Sequence, residues 1–261
     1  MPSPDRLAAV AERAARAGGD YLRGEFRSGA PDAEHGPDDA TAAADRAAER
    51  RVLDVIGDAF PTHATDAEES GRRAGDGSGD RYEWLIDPLD GTNNFVAGIP
   101  AFATAVAVRE DGDPVAAAVH EPLPGTLYRA SRGGGTTVDG APASATAGGS
   151  PALEHGTVSL VIGLEAVRDG AALARARAAG RALRERCKRV RETWAPAVDW
   201  GLLAAGRIEG VVAVRPGPYE HHAGALLAAE SGAASGWVDD ERYVAAPTPE
   251  TRRSLAASLP E

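Results

Sequence analysis

Asp87 and Asp90 stand three positions apart in WLIDPLDGTNNF (Trp84–Phe95), where a short apolar run turns into Gly91-Thr92. An unpaired charge buried in such a run is costly, so the pair needs a partner. Pro88 steers Asp87 away from helical conformation. With the chain extended and then turning, both carboxylates and the Leu89 carbonyl can converge on one point. Oxygen-only ligands of this kind suit Mg2+, which also keeps waters and substrate phosphate in its shell. Gly91-Thr92 then opens a short helix, whose first N–H groups attract phosphate; carboxylates beside an anion site call for a cation between them. The other reading makes Asp87 and Asp90 turn and N-cap residues. The segment by itself leaves both open.

Three further acidic positions come with ordinary explanations. DAEES (Asp66–Ser70) reads as an exposed loop cluster, Asp45 as a solvated helix position, and Glu220, in PYEHHAGALLAAESGA, as a first-turn carboxylate favoured by the helix dipole. His221 and His222 point about 100° apart on a helix, so they read as partly exposed neighbours and not as a paired ligand set.

The elements that must position these groups follow from periodicity. Leu7–Phe26 has apolar residues at helical spacing, and a second helix of about five turns follows Thr41. Ser28–Asp39 and Gly71–Asp80 are polar, glycine-rich loops. The pattern then changes to four short strands (YEWLID, FATAVAVRE, PVAAAVHEP and TLYRASR) separated by turns. Thr146–Gly156 marks a junction between an N-terminal subdomain, residues 1–146, and a C-terminal subdomain, residues 147–261. Beyond it come a strand at Thr157–Ile162, a helix over 167–186, a helix over 196–206, the strand GVVAV, a helix over 220–231 and a terminal strand pair. Helices, then a meander, then alternating elements predict an α+β or layered α/β protein.

Composition bounds the function. The 261 residues suffice for a large core in one domain or two packed subdomains. No apolar run approaches the roughly 20 residues of a membrane span, and the first residues lack a signal-peptide pattern. With the lone Cys187 excluding an internal disulfide, a cytoplasmic location is expected. A formal charge of −11 argues against nucleic acid as partner.

Together, EES, WLIDPLDGTNNF and YEHHAGALLAAESGA resemble the three signatures of the inositol monophosphatase family, Mg2+-dependent, lithium-sensitive phosphomonoesterases that include enzymes acting on fructose 1,6-bisphosphate. The similarity extends through ASRGGGTTVDGAPA and RETWAPAVDWGLLAAGRIEG. It implies a layered αβαβα sandwich, a homodimer, and two or three Mg2+ ions. Glu68, Asp87 and the Leu89 carbonyl would hold one ion; Asp87, Asp90 and Glu220 would hold another. Gly91 and Thr92 would bind phosphate, with Glu68, Thr92 and Asp45 acting in catalysis, the last two orienting the attacking water. Substrate contacts would fall on Asp90, Arg191, Trp194, Ala195 and Arg215, and the substrate would be a small phosphorylated metabolite.

The chain also departs from the family pattern. Tyr219-Glu220 replaces Trp-Asp, Ala67-Glu68-Glu69 replaces Gly-Glu-Glu, and Trp194-Ala195-Pro196 replaces a run of small residues. The loop lysine expected before Asp45 is absent, with Glu34 and His35 in that region, and Ala213 stands where animal enzymes place an acid that contacts inositol. These changes speak against free inositol phosphate as best substrate. Arg191 and Arg215 either meet a second anionic group or are ordinary surface arginines. Histidinol phosphate, a nucleotide 3′-phosphate, or a non-catalytic role binding a phosphorylated ligand or protein partner are the alternatives.

Overall fold

The structure is a computed structural model that describes residues 1–29, 33–35, 40–76 and 81–260, with 33–35 and 40–42 described as backbone only. Helix α1 (Pro4–Ser28) starts at Ser3, whose hydroxyl accepts from the Arg6 N–H, and ends on Gly29 in the left-handed region. It begins before the first apolar residue because the cap and Pro4, not the periodicity, set its start. Strands β1 (Ala33–His35) and β2 (Ala40–Ala42) pair antiparallel, so α2 (Ala43–Ala59) opens two residues beyond Thr41. The side chains of Glu34 and His35 lie outside the described residues, as do 77–80 of the second loop.

The first sheet contains β3 (Ala64–Ala67), β4 (Gly71–Arg73) and β5 (Tyr82–Asp90). After the short helix α3 (Thr92–Val96) it continues with β6 (Ala103–Glu110), β7 (Asp113–Glu121), β8 (Thr126–Ser131), β9 (Gly135–Val138) and β10 (Ala141–Pro142). Its order is β10-β9-β8-β7-β6-β5-β3-β4, antiparallel except where β3 runs parallel to β5. The two-residue period of β5 sorts its side chains. Trp84 and Ile86 join Leu7, Val10, Val52 and Ile56 under α1 and α2, while Leu85 joins the opposite face.

The second sheet takes β11 (Thr157–Ile162), then, after α4 (Leu164–Arg168) and α5 (Gly170–Arg186), β12 (Arg189–Arg191). Helix α6 (Pro196–Ala204), β13 (Gly210–Val214), α7 (Pro218–Glu230), β14 (Ala234–Trp237), β15 (Arg242–Ala246) and α8 (Pro249–Ser258) complete the chain. Its order is β12-β11-β13-β15-β14, with β11 parallel to both neighbours. The single helix expected over 167–186 is interrupted at Asp169, which turns extended and caps α5 through the N–H groups of Ala171 and Ala172. Helix α8 is not predicted by periodicity; its mostly polar sequence buries Leu255 and little else.

Helices α6 and α7 lie between the sheets. Val198, Ala223 and Leu227 pack on the first sheet, and Trp200, Leu203 and Ala228 pack on the second. Close approach of these helices depends on Gly224, where a Cβ would stand 2.1 Å from Trp200 Cγ. With α5 and α8 covering the far side of the second sheet, the order of layers is αβαβα, as the motif resemblance implies. No helix among the described residues is long and apolar enough to cross a membrane.

Candidate active site

Strand β5 delivers the central carboxylates. Its pairing with β6 slips between Asp87, opposite Ala105, and Asp90, opposite Ala103, so one extra residue is accommodated there. Thr104 Oγ1 donates to the Pro88 carbonyl at 2.8 Å and fixes the bulge. The strand alternation puts Asp87 on the Leu85 side, toward α7. Both aspartates serve the fold with one oxygen. Asp87 Oδ1 accepts the Leu89 N–H (3.1 Å), and Asp90 Oδ2 accepts the Ala197 N–H in the first turn of α6 (2.7 Å). The turn reading holds for Asp87, but neither aspartate caps the helix that follows: Gly91 precedes α3 without a side-chain cap, and Asp90 serves the first turn of α6 instead. Both residues also line a cleft of about 290 Å3 whose wall includes Glu68, Thr92 and Glu220.

Each acid arrives by a different route. Glu220 occupies the first turn of α7, 8% exposed, and folds back so that its Oε2 would lie 2.8 Å from a Cβ at Gly217. Glu68 follows β3, with its N–H on the Ile86 carbonyl (3.1 Å), and is exposed. Buried Glu49 fixes that loop by accepting the N–H groups of Glu69 (2.9 Å) and Ser70 (3.3 Å). Asp45 is buried in the first turn of α2 and stands 3.4 Å from Thr92 Oγ1. The solvated-helix reading of Asp45 is thereby corrected, since α2 turns this face inward against α3.

The electrostatics are one-sided. Burial pushes the Asp87 carboxyl well above the usual carboxylate range, and Glu68, Asp90, Glu220 and Asp45 push in the same direction. Asp90 is raised by burial, then by Glu220, against the hydrogen bond from Ala197. Glu220 is pushed up to about 8 by burial and by Glu68, although backbone N–H groups at its helix start favour its charge. Such a set of repelling, desolvated oxygen donors is matched by a hard divalent cation. Among the described residues no three His, Cys, Asp or Glu side chains are yet gathered around one point as an ion would hold them. The fit lies in donor chemistry and location.

Gly91 precedes α3 with φ +95°, and a Cβ there would meet the Ala101 carbonyl at 2.9 Å. The Thr92 hydroxyl lies 3.0 Å from the Leu89 carbonyl. Trp194 lines the cleft, half-exposed at φ +57°, whereas Ala195 is buried behind Gly91 and outside the lining. Arg191 also falls outside the lining and faces Asp199 at 3.7 Å. Arg215 borders the cleft but donates to Asp169 and Glu241. His221 is not a partly exposed neighbour: it is buried among Trp200, Trp237 and Tyr243, and burial pushes it down to about 4.

Glu49 and Asp199 are the residues sequence reasoning missed. Glu49 sits four positions after Asp45 on the same inner face of α2, a spacing that could have marked it. Asp199 lines the cleft, buried, with Thr193 donating to Oδ2. An acid inside the apolar run PAVDWGLL was its signal.

A five-layer αβαβα sandwich with a carboxylate-walled cleft at a strand end defines a class of protein in which acids from both halves of the chain meet. Residues 3–260 match the inositol monophosphatase family, and the chain belongs to it. It is 33% identical over 227 residues to Nus factor SuhB of Escherichia coli (strain K12), covering 85% of this chain and 82% of that one. It is 38% identical over 133 residues, about half of either chain, to the fructose-1,6-bisphosphatase/inositol-1-monophosphatase of Aquifex aeolicus. Among solved structures, Mycobacterium tuberculosis SuhB superposes with a TM-score of 0.81 at 27% identity, covering 99% of this chain and 97% of that one.

Proposed function

We propose that this protein is a Mg2+-dependent phosphomonoesterase of small polyol or sugar phosphates. The observation that carries the reading is the burial of Asp87, Asp90 and Glu220 around one cleft, with their carboxyls raised by desolvation and mutual repulsion. Glu68, Asp87, Asp90, Glu220 and the Leu89 carbonyl would hold two or three ions. Bound Mg2+ would neutralise the acids and the phosphate and make the attacking water more acidic.

The chain's own groups do the positioning. The Thr92 hydroxyl has one proton and two acceptors in reach, Leu89 O at 3.0 Å and Asp45 Oδ1 at 3.4 Å. Its oxygen keeps lone pairs to accept from a water, and Asp45 holds the hydroxyl in place. Gly91 and Thr92 would offer N–H groups to the phosphate. In the reaction the water oxygen bonds to phosphorus, the ester P–O bond breaks, and the departing alkoxide takes a proton to leave alcohol and inorganic phosphate. The division into residues 1–146, supplying four of the five ligand residues, and residues 147–261, closing the site with Glu220, belongs to the same proposal, as do a cytoplasmic homodimer and the absence of direct nucleic-acid binding.

Phosphate release from inositol 1-phosphate, fructose 1,6-bisphosphate, histidinol phosphate and a nucleotide 3′-phosphate tests the reading. Turnover that requires Mg2+ and stops with chelator is expected; turnover indifferent to chelator would count against it. A second reading, a non-catalytic partner in an assembly, is favoured by the Nus factor name of the Escherichia coli relative and by Trp194 and Pro196 at the cleft.

A further inference from the structure

The cleft wall beyond the four carboxylates assigned to the cation has a charge pattern of its own. Arg215 is the one basic side chain among the described residues that line it. Its guanidinium is committed: Nε and Nη2 both donate to Glu241 Oε1, and Nη1 donates to Asp169 Oδ2 at 2.8 Å. Arg175 grips the same Glu241 carboxylate through Nε and Nη2 at 2.9 and 2.8 Å. A second phosphate at this wall would have to open a clasp of two carboxylates. The reading in which Arg215 and Arg191 meet a second anionic group therefore loses its free cation.

The remaining acids of the wall differ in the same respect. Asp199 takes the Thr193 hydroxyl and faces Arg191, and Glu192 pairs with Arg184 at 2.5 Å. Glu165, in the first turn of α4, is exposed and has no side-chain partner among the described residues. Around it the wall is apolar, with Ile162, Leu164 and Pro216, and the half-exposed indole of Trp194 borders the same cleft. An uncommitted carboxylate and an aromatic face in one cleft are the two partners that favour an organic cation.

Resting on the phosphatase reading, we infer that the alcohol part of the substrate carries a protonated nitrogen: the ester is an amino-alcohol or amino-sugar monophosphate, and Glu165 and Trp194 determine that specificity. A neutral polyol phosphate leaves Glu165 unmatched, and a bisphosphate meets it as a like charge. Arg215 is thus a wall-building residue whose clasp joins the end of β13 to the start of α5, and not an anion receptor.

Matched pairs test this with the full chain and Mg2+: 2-aminoethyl phosphate against 2-hydroxyethyl phosphate, and glucosamine 6-phosphate against glucose 6-phosphate, with fructose 1,6-bisphosphate beside them. The amino member of at least one pair should have a kcat/KM about three- to five-fold higher, the size set by one partly exposed ion pair. Glu165→Gln should bring that ratio close to one, and Glu165→Lys should turn preference toward the bisphosphate. Ratios at or below one in the wild type, or ratios that neither variant moves, would overturn the inference while leaving the phosphatase standing. No phosphate release from any of the five, nor from inositol 1-phosphate, histidinol phosphate or a nucleotide 3′-phosphate, would overturn the phosphatase reading itself.

Discussion

If the raised carboxyls of the cleft hold the proposed ion, a proton and a metal ion compete for the same oxygens. Glu220 rises from an ordinary 4.5 to about 8 in the folded chain. The sign follows from linkage: an acid harder to ionise when folded costs stability as pH rises from about 4.5 to about 8, so the metal-free protein should lose stability over that window. On the proposed function Mg2+ would bind the deprotonated group and should reverse the trend. At pH 8 about half of Glu220 is ionised and at pH 6 about one part in a hundred, so this group alone weakens Mg2+ binding roughly fifty-fold between the two. The difference is about 2 kcal/mol, and the raised Asp87 and Asp90 can only steepen it. Calorimetric titration with MgCl2 at pH 6 and pH 8, repeated in two buffers of different ionisation enthalpy, reads both affinity and protons released. Glu220→Gln should release fewer protons at pH 8 and show a shallower pH dependence. Equal affinities at the two pH values, with no proton release, would refute the reasoning about how these acids are buried.

Other consequences test other regions of the structure. Glu49→Ala removes the acceptor of two loop N–H groups; a loss of about 1–3 kcal/mol in chemical denaturation is expected, with a higher Mg2+ concentration for half-maximal activity, and an unchanged Mg2+ requirement would show that Glu68 does not depend on this anchor. Gly224→Ala drives a Cβ into Trp200 at 2.1 Å; overpacking of this kind costs about 1–3 kcal/mol, and a thermal midpoint equal to wild type would show that the middle layer has slack. Arg215→Ala should lower the thermal midpoint by freeing Asp169 and Glu241; hydrogen bonds hold both carboxyls below the usual range, from the Ala172 N–H and then Arg215 at Asp169, and from Arg215 and then Arg175 at Glu241. It should not selectively slow fructose 1,6-bisphosphate relative to a monophosphate; a selective loss would return Arg215 to the role of anion receptor.

The layers were legible because their signals are local. Trp84, Leu85 and Ile86 alternate as a strand does between two packed faces, and Asp87, Pro88 and Asp90 occupy the stretch where the extended chain is expected to turn, which the structure shows as a bulge. The opening of α3 at Thr92 follows from Gly-Thr, whereas α7 opens at Pro218, two residues before the expected 220. What escaped was set by tertiary contact. Asp45 reads as solvated until α2 is docked, and His221 reads as partly exposed until β14 and β15 close over it. The break at Asp169 and the commitment of Arg215 belong to one event. The same aspartate caps α5 and receives the guanidinium from 46 residues later. No window of sequence contains both partners. Helix α8 has little apolar periodicity because it rests on the outer face of the second sheet through Leu255.

The central claim is that the buried acids at the end of β5 exist to hold a cation for phosphoryl chemistry. The most direct measurement is steady-state phosphate release by wild type and Asp90→Asn across a Mg2+ titration. Asn keeps the acceptor for the Ala197 N–H, now through a neutral oxygen, and circular dichroism checks that the fold survives. The account predicts Mg2+-saturable turnover in the wild type and its loss, by a hundred-fold or more on the scale of a metal-supplied barrier reduction of several kcal/mol, in the folded variant. Equal turnover by the two, or turnover by the wild type with Mg2+ fully chelated, would contradict it.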